Sequence, residues 1–325
     1  PQWVSRFLDH WRPDLALWVE SELWPNLVLE THGHGVPMLL LNGRLSARSH
    51  KRWRRWPGLI GPVLGAFRLC LVQNEDQAER FRSLGAREVA VAGDLKFAAT
   101  PLPFDRSEFS RLRDLIRSRP LWLAASTHAG EEEIVAQAHC RIAAERPGLL
   151  TIIVPRHPGR GDSISAMLAI RGLRVARRAR RDPLTRDTDI YLADTIGELG
   201  LFYRLSGIAL IGGSLAAKGG HNPLEAARLD CAVLIGPHTG NCAAMTDALT
   251  RAGAAQTVTG AEALARAVAA LLADPQLRAD RAEAGARVAA AGHDVLDAVL
   301  ERLAPWLDRL APARDVVEPQ HCTRA

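Results

Sequence analysis

Residues 207–229 read GIALIGGSLAAKGGHNPLEAARL. A continuous apolar run halts at Gly212-Gly213-Ser214, and a second glycine pair, Gly219-Gly220, leads into His221-Asn222-Pro223-Leu224-Glu225. Uninterrupted apolar runs, as opposed to alternating ones, mark parallel strands buried on both faces. Asn222 followed by Pro223 is the local signal for a helix cap and first helical turn. The segment therefore reads as strand, glycine turn and helix, half of a βαβ unit. Glycines let backbone N–H groups approach a ligand, and a helix N-terminus attracts phosphate. Glu225, in the first turn, is placed to accept ribose hydroxyls.

The same rhythm extends in both directions. Strands are expected at 15–20, 37–43, 69–74 and 89–94, and then at 121–127, 149–155, 174–179, 189–194, 207–214, 232–237 and 255–258. Helical patterns lie between them, such as 75–84, closed by Gly85 where a left-handed cap belongs. This order predicts an α/β protein with doubly wound parallel sheets. Pro101 and Pro103 punctuate an aperiodic stretch at 96–105, which divides the chain into a domain 1–100, a domain 101–312 and a disordered tail 313–325. The first domain offers about four strands where a doubly wound half uses five or six. It is expected to be incomplete, with Leu15, Leu17 and Leu39 more exposed than strand positions warrant.

The composition is ordinary for a globular chain of 325 residues: 47% hydrophobic, 24% charged, net charge +5. The positive excess suits acidic ligands, anionic surfaces or nucleic acid. With two tyrosines and seven phenylalanines in the whole chain, an aromatic nucleic-acid platform is not expected. Five cysteines with no CxxC pair argue against a disulfide framework or a zinc site. No apolar run approaches the about 18 residues of a membrane span.

Further strings sit at strand ends, where open α/β sheets bind ligands. Arg156 and His157 follow one strand, and the guanidinium fork suits phosphate. Ser126 and Thr127 open another turn, as do Asp194-Thr195-Ile196-Gly197-Glu198, whose backbone suits a nucleobase. Glu20 and Glu22 end the first strand, and a buried acid with a raised pKa is what a general base requires. Arg44 and Lys96 follow two more strands. The run His50-Lys51-Arg52-Trp53-Arg54-Arg55-Trp56 interleaves cations with tryptophan, as interfacial segments do.

In order, ESELWPN, NGRLS, GDLKF, ASTHAGEE, VPRHP, DTIGEL and GGSLAAKGGHNPLEAA resemble the motif series of the Kdo (3-deoxy-octulosonic acid) transferases, over about residues 15–238. The resemblance implies a GT-B fold of two Rossmann-like domains. It implies an inverting glycosyltransferase that moves Kdo from CMP-Kdo onto a lipid A precursor, without metal or cofactor, at the cytoplasmic face of an inner membrane with an anionic surface. It places Arg156 and His157 at the donor phosphate, and Glu225, Asn222, Gly219, Gly220, Gly213 and Ser214 around the ribose and phosphate. Ile196, Gly197 and Glu198 fall beside cytosine, and Ser126 and Thr127 are further donor-binding candidates. Glu20, Glu22, Arg44 and Lys96 line the first domain's side, with Arg44 and Lys96 toward the donor. Ala129 stands where the family commonly has Glu, and Ala98 where it has an acid. The family's amino-terminal portion, with its membrane anchor and usual catalytic base, has no counterpart among these strings. The two glutamates are thus secondary candidates, and the chain alone is expected to be inactive. Alternative readings are another nucleotide-sugar GT-B transferase or a CMP-binding relic.

Overall fold

The structure is a computed structural model that describes residues 2–310 apart from Ala99, Ser118 and Ala291. It divides into two compact units, Pro1–Ala98 with Gly292–Ala325, and Ala99–Ala291. All eleven expected strands form, each within its expected span, and every pairing is parallel.

The first unit holds β1 (Ala16–Val19), β2 (Met38–Gly43), β3 (Leu69–Val72) and β4 (Val89–Val91), in spatial order β1-β2-β3-β4. Successive right-handed crossovers in one direction put every connecting helix on the same face. The residues agree: Met38, Leu40, Cys70 and Val72 pack with Val28, Ile60, Val63, Leu64, Ala78 and Phe81 from those helices. Winding of this kind leaves the opposite face bare. It is covered from far away in sequence, by Val299, Leu303 and Trp306 of the helix His293–Leu307 against Leu39, Leu41, Leu69 and Leu71.

Two expectations change here. The boundary at 312 is replaced, because the last described helix belongs to the first unit. Leu39 is fully buried, since that helix covers it, whereas Leu17 and Val19 on the edge strand β1 are 46% and 51% exposed, and Leu15 is half-buried. Residues 313–325, expected to be disordered, lie outside the described residues.

The second unit holds β5 (Leu121–Thr127), β6 (Leu150–Pro155), β7 (Val175–Arg177), β8 (Ile190–Leu192), β9 (Ile208–Ile211), β10 (Ala232–Ile235) and β11 (Ala255–Thr257). Their order is β11-β10-β9-β5-β6-β8-β7. The chain winds outward from β5 through β6, then returns to lay β9 on the other side of β5. Such a reversal opens a crevice at the carboxyl ends of the two central strands, the position where doubly wound sheets bind ligands. Beyond Ala125 the register of β5 on β6 slips at Ser126, whose φ is +57°. The Ser126 carbonyl then presses on Gly212, where a Cβ would collide with it. Gly212 is thus required by strand packing.

Candidate functional site

The crevice is organised by two buried carboxylates at the start of the helix Glu131–Glu145. Glu131 Oε2 accepts the N–H groups of His128 and Gly213 at 2.9 and 2.7 Å. Its Oε1 accepts those of Leu215 and Ala216 at 2.9 and 3.0 Å. A buried carboxylate is tolerated when its lone pairs are met in this way, and a helix N-terminus favours it further. One side chain thereby ties the turn after β5 to the glycine turn after β9. Glu132 accepts the Thr127 hydroxyl at 2.9 Å and pairs with Arg160 at 2.7 and 3.1 Å, which ties β5 to the turn after β6.

The glycine turn closes on itself, with Gly220 N–H donating to the Gly213 carbonyl at 2.8 Å. Gly219 and Gly220 both have positive φ, +90° and +74°. The closure brings His221 against His128, with Nε2 to Nε2 at 2.9 Å, so that one imidazole donates and the other accepts. His157 stands edge-on to His128, the ring centres 5.8 Å apart. Burial holds both His128 and His221 below the ordinary imidazole pKa. His128 and Arg156 add to this at His221, and Glu131 opposes it at both. Arg156 and Lys218 are exposed and form no ion pair among the described residues. Three imidazoles and two cations therefore collect at the ends of β5, β6 and β9.

Beside them, burial raises the Glu225 pKa, against the opposing charges of Arg228 and Arg156. Its carboxylate has no hydrogen-bond donor among the described residues, although it is half-buried. Asn222 Oδ1 accepts the Leu224 N–H at 3.0 Å, the expected cap. The helix it opens, Leu224–Ala227, is a single turn. The sequence reading puts a phosphate-attracting helix N-terminus here. One turn carries little of a macrodipole, so cationic side chains must supply the charge here.

Several candidates have structural duties. The Thr127 hydroxyl is buried on Glu132. Ser214 is buried, donating to the Ile211 carbonyl and accepting the Gly236 N–H at 2.7 Å, which links the ends of β9 and β10. Ser126 is half-buried and Gly213, with φ +69°, gives its N–H to Glu131. Ile196 is 86% exposed and Gly197 has φ +85°, but Glu198 is occupied by Thr195 and Arg178. His128, His221 and Glu131 were visible in the sequence strings, but nothing local in them signals a histidine pair built across 93 residues.

On the first unit, the ends of β1, β2 and β4 are knitted together. Glu20 pairs with Lys96 at 2.9 Å, Asn42 Oδ1 accepts the Leu95 N–H at 3.1 Å, and the Ser21 hydroxyl donates to the Arg44 carbonyl. Glu22 is exposed and accepts the Trp24 indole N–H at 2.7 Å. Neither glutamate is buried, contrary to the sequence reading of one as a buried acid, because the chain leaves the sheet there into an open turn. Arg44 is half-buried and forms no ion pair among the described residues.

Comparison with known proteins agrees with this geometry. A family model for "3-Deoxy-D-manno-octulosonic-acid transferase (kdotransferase)" matches residues 1–99. The 3-deoxy-D-manno-octulosonic acid transferase of Haemophilus influenzae is 34% identical over 310 residues, 94% of this chain and 73% of that protein. The chain belongs to the Kdo transferase family. A probable mitochondrial Kdo transferase of Arabidopsis thaliana is 37% identical, over 85% of this chain and 64% of its own length. The solved C-terminal CMP-Kdo binding domain of WaaA from Acinetobacter baumannii is 31% identical with a TM-score of 0.51, and covers 58% of this chain and 96% of its own. A UDP-bound Anabaena HepE structure, 14% identical at a TM-score of 0.54 over 95% of this chain and 81% of its own, shares the fold alone. This Kdo transferase chain thus has the α/β, parallel-sheet architecture of GT-B glycosyltransferases.

Proposed function

We propose that the chain uses CMP-Kdo as donor and a lipid A precursor as acceptor, with the donor nucleotide held by the second unit. The observation that carries this reading is Glu225. It is a half-buried carboxylate with raised pKa and no hydrogen-bond donor among the described residues, and it feels the charge of Arg156, which also acts on His221. Two ribose hydroxyls would satisfy it, and a phosphate would sit on Arg156, His157 and His221. Attack of an acceptor hydroxyl on the anomeric carbon breaks the bond to the CMP phosphate, with inversion. Negative charge then grows on the leaving phosphate, where Arg156 and the imidazoles stabilise it. On the first unit, Glu20 and Glu22 are the candidates for taking the hydroxyl proton, with Arg44 and Lys96 as nearby cations.

Calorimetric titration of the chain with CMP, UMP and UDP tests the donor. CMP should bind more tightly than UMP, and Glu225→Ala should weaken CMP by about 1–3 kcal/mol, the worth of hydrogen bonds to a charged group. Equal affinity for CMP and UDP, or an unaffected Glu225→Ala variant, would refute the assignment.

The reading extends to an anionic membrane surface on the cytoplasmic side. No described helix is long and apolar enough to cross a membrane. The helix Gln2–Trp11 exposes Trp3, Phe7 and Trp11, at 81%, 54% and 67%, on a single stripe four residues apart. Arg48, Lys51, Arg52, Arg54 and Arg55 form no ion pair among the described residues, and Trp56 beside them is 64% exposed. Aromatic rings and unpaired cations together suit an anionic interface. Sedimentation with phosphatidylglycerol vesicles should carry the chain down, and the triple variant W3A/F7A/W11A should stay in solution. Equal binding to neutral vesicles would count against it.

A further inference from the structure

The strand β7 runs out into two adjacent arginines, Arg177 and Arg178. Neighbouring side chains leave a strand on opposite faces. Even so, both reach the same turn, 194–198, and take it by its two ends. Arg177 donates to Asp194 Oδ2 from Nε and Nη2 at 3.0 and 2.7 Å, while the Ala179 N–H meets Oδ1 at 3.0 Å. Asp194 is 4% exposed. Arg178 donates to Glu198 Oε2 from Nε at 2.6 Å and to Oε1 from Nη2. Its remaining Nη1 goes to Glu108 at 2.7 Å and to the Tyr191 hydroxyl at 3.1 Å, and its face lies over Phe202. The Thr195 hydroxyl also donates to Glu198.

Between these anchors the turn carries Ile196, almost wholly exposed, and Gly197 in the left-handed region. A lone exposed isoleucine is ordinary. What is unusual is the charge gathered beneath it. Buried ion pairs add little net stability compared with apolar packing, and a link from β8 to the helix Leu199–Ser206 needs none. Their geometric effect is large, because a bidentate guanidinium fixes both position and orientation of a carboxylate.

We propose that Arg177 and Arg178 are positioning residues, holding turn 194–198 so that Ile196 and the Gly197 backbone form an apolar seat for the donor's nucleobase. Glu198 is then their anchor, with no contact to the ligand. The inference rests on the reading of the second unit as a nucleotide site. It makes Arg178 intolerant even of lysine, whose single ammonium cannot span both Glu198 oxygens and Glu108.

The test uses the full chain as wild type, R178M, R178K, I196A and R178M/I196A. It is titrated with CMP and with ribose 5-phosphate, which lacks the base, and amide exchange is followed at 195–198. R178M and R178K should each weaken CMP about tenfold through lost preorganisation, leave ribose 5-phosphate within about twofold, and speed exchange in the turn. The double variant should lose less than the product of the two single losses, since the arginine acts in part through the isoleucine. Unchanged exchange, multiplying effects in the double variant, or equal loss of ribose 5-phosphate would each overturn the proposal. A wild-type chain that fails to bind CMP sinks the nucleotide reading together with the seat. A wild type that binds CMP while R178M binds it equally well sinks the seat alone.

Discussion

Glu225, in the proposed donor site, weighs on the stability of the fold. Burial raises its pKa above the ordinary carboxylate value, and the cations Arg228 and Arg156 offset this only in part. The folded state therefore holds the Glu225 proton more tightly than the unfolded chain does. By linkage, the group's contribution to stability falls as pH rises from the ordinary glutamate range through the raised folded value. Above the raised folded value, the ionised carboxylate opposes folding. Glu225→Gln should accordingly raise the melting temperature of the second unit, by roughly 2–4 °C for each kcal/mol relieved, while it weakens CMP. The gain should shrink below about pH 4, where both states are protonated. A melting temperature that drops at pH 7 would show that the carboxylate is already compensated without ligand. Residues of this kind were legible in the sequence where their partners are local. The Asn222 cap and Gly85 at the helix end needed only neighbours. The structural bonds of Thr127 and Ser214 were not legible, because their partners, Glu132 and the Gly236 N–H, depend on how turns meet across the sheet.

Elements were easier to read than side chains, for a physical reason. A parallel strand buried on both faces must be continuously apolar, so β2, β3, β5, β6, β9 and β10 show themselves without any knowledge of their neighbours. The one-turn length of the helix Leu224–Ala227 was not legible, because capping signals mark where a helix starts and leave its extent open. Gly161 shows a constraint of the same non-local kind. It starts the helix Gly161–Ile170 with an ordinary helical φ of −51°, so an alanine there is conformationally acceptable. A Cβ at this point would nonetheless strike Asp194 Oδ2 and Arg177 Nη2, the buried pair that ends β7 and β8. Gly161→Ala should therefore destabilise the second unit by about 1–3 kcal/mol, the usual cost of overpacking, against a helix-propensity gain of up to about 1 kcal/mol. Chemical denaturation reads the balance. A net gain in stability would mean that the pair moves aside freely, and the clasp on turn 194–198 would then be soft.

At the scale of the molecule, the sheet topology decides which parts depend on one another. The second unit reverses its winding at β5, so its own helices cover both faces, with Val135, Ile142, Leu264, Val268 and Leu271 among its buried residues. The first unit winds one way and leaves a face that the distant helix His293–Leu307 covers. Residue order suggested a cut near 312, since amphipathic periodicity shows that a helix has an apolar face but not which sheet it meets. The consequence is an asymmetric dependence. Val299 and Leu303 are 3% and 5% exposed against the first sheet. Leu303→Ala should cost the first unit about 2–5 kcal/mol, as for other buried leucines. It should lower the first melting transition and leave the second in place. Since the proposed donor site belongs wholly to 99–291, CMP affinity should stay within about twofold of wild type, less than 0.5 kcal/mol and inside the range expected for distant, independent sites. Calorimetry with and without CMP separates the outcomes. Two transitions, with only the upper one shifted by CMP and only the lower one by Leu303→Ala, confirm independent units. A single transition that both perturbations move would mean that the units unfold together, and the helix would then stabilise the nucleotide site as well as the sheet it covers.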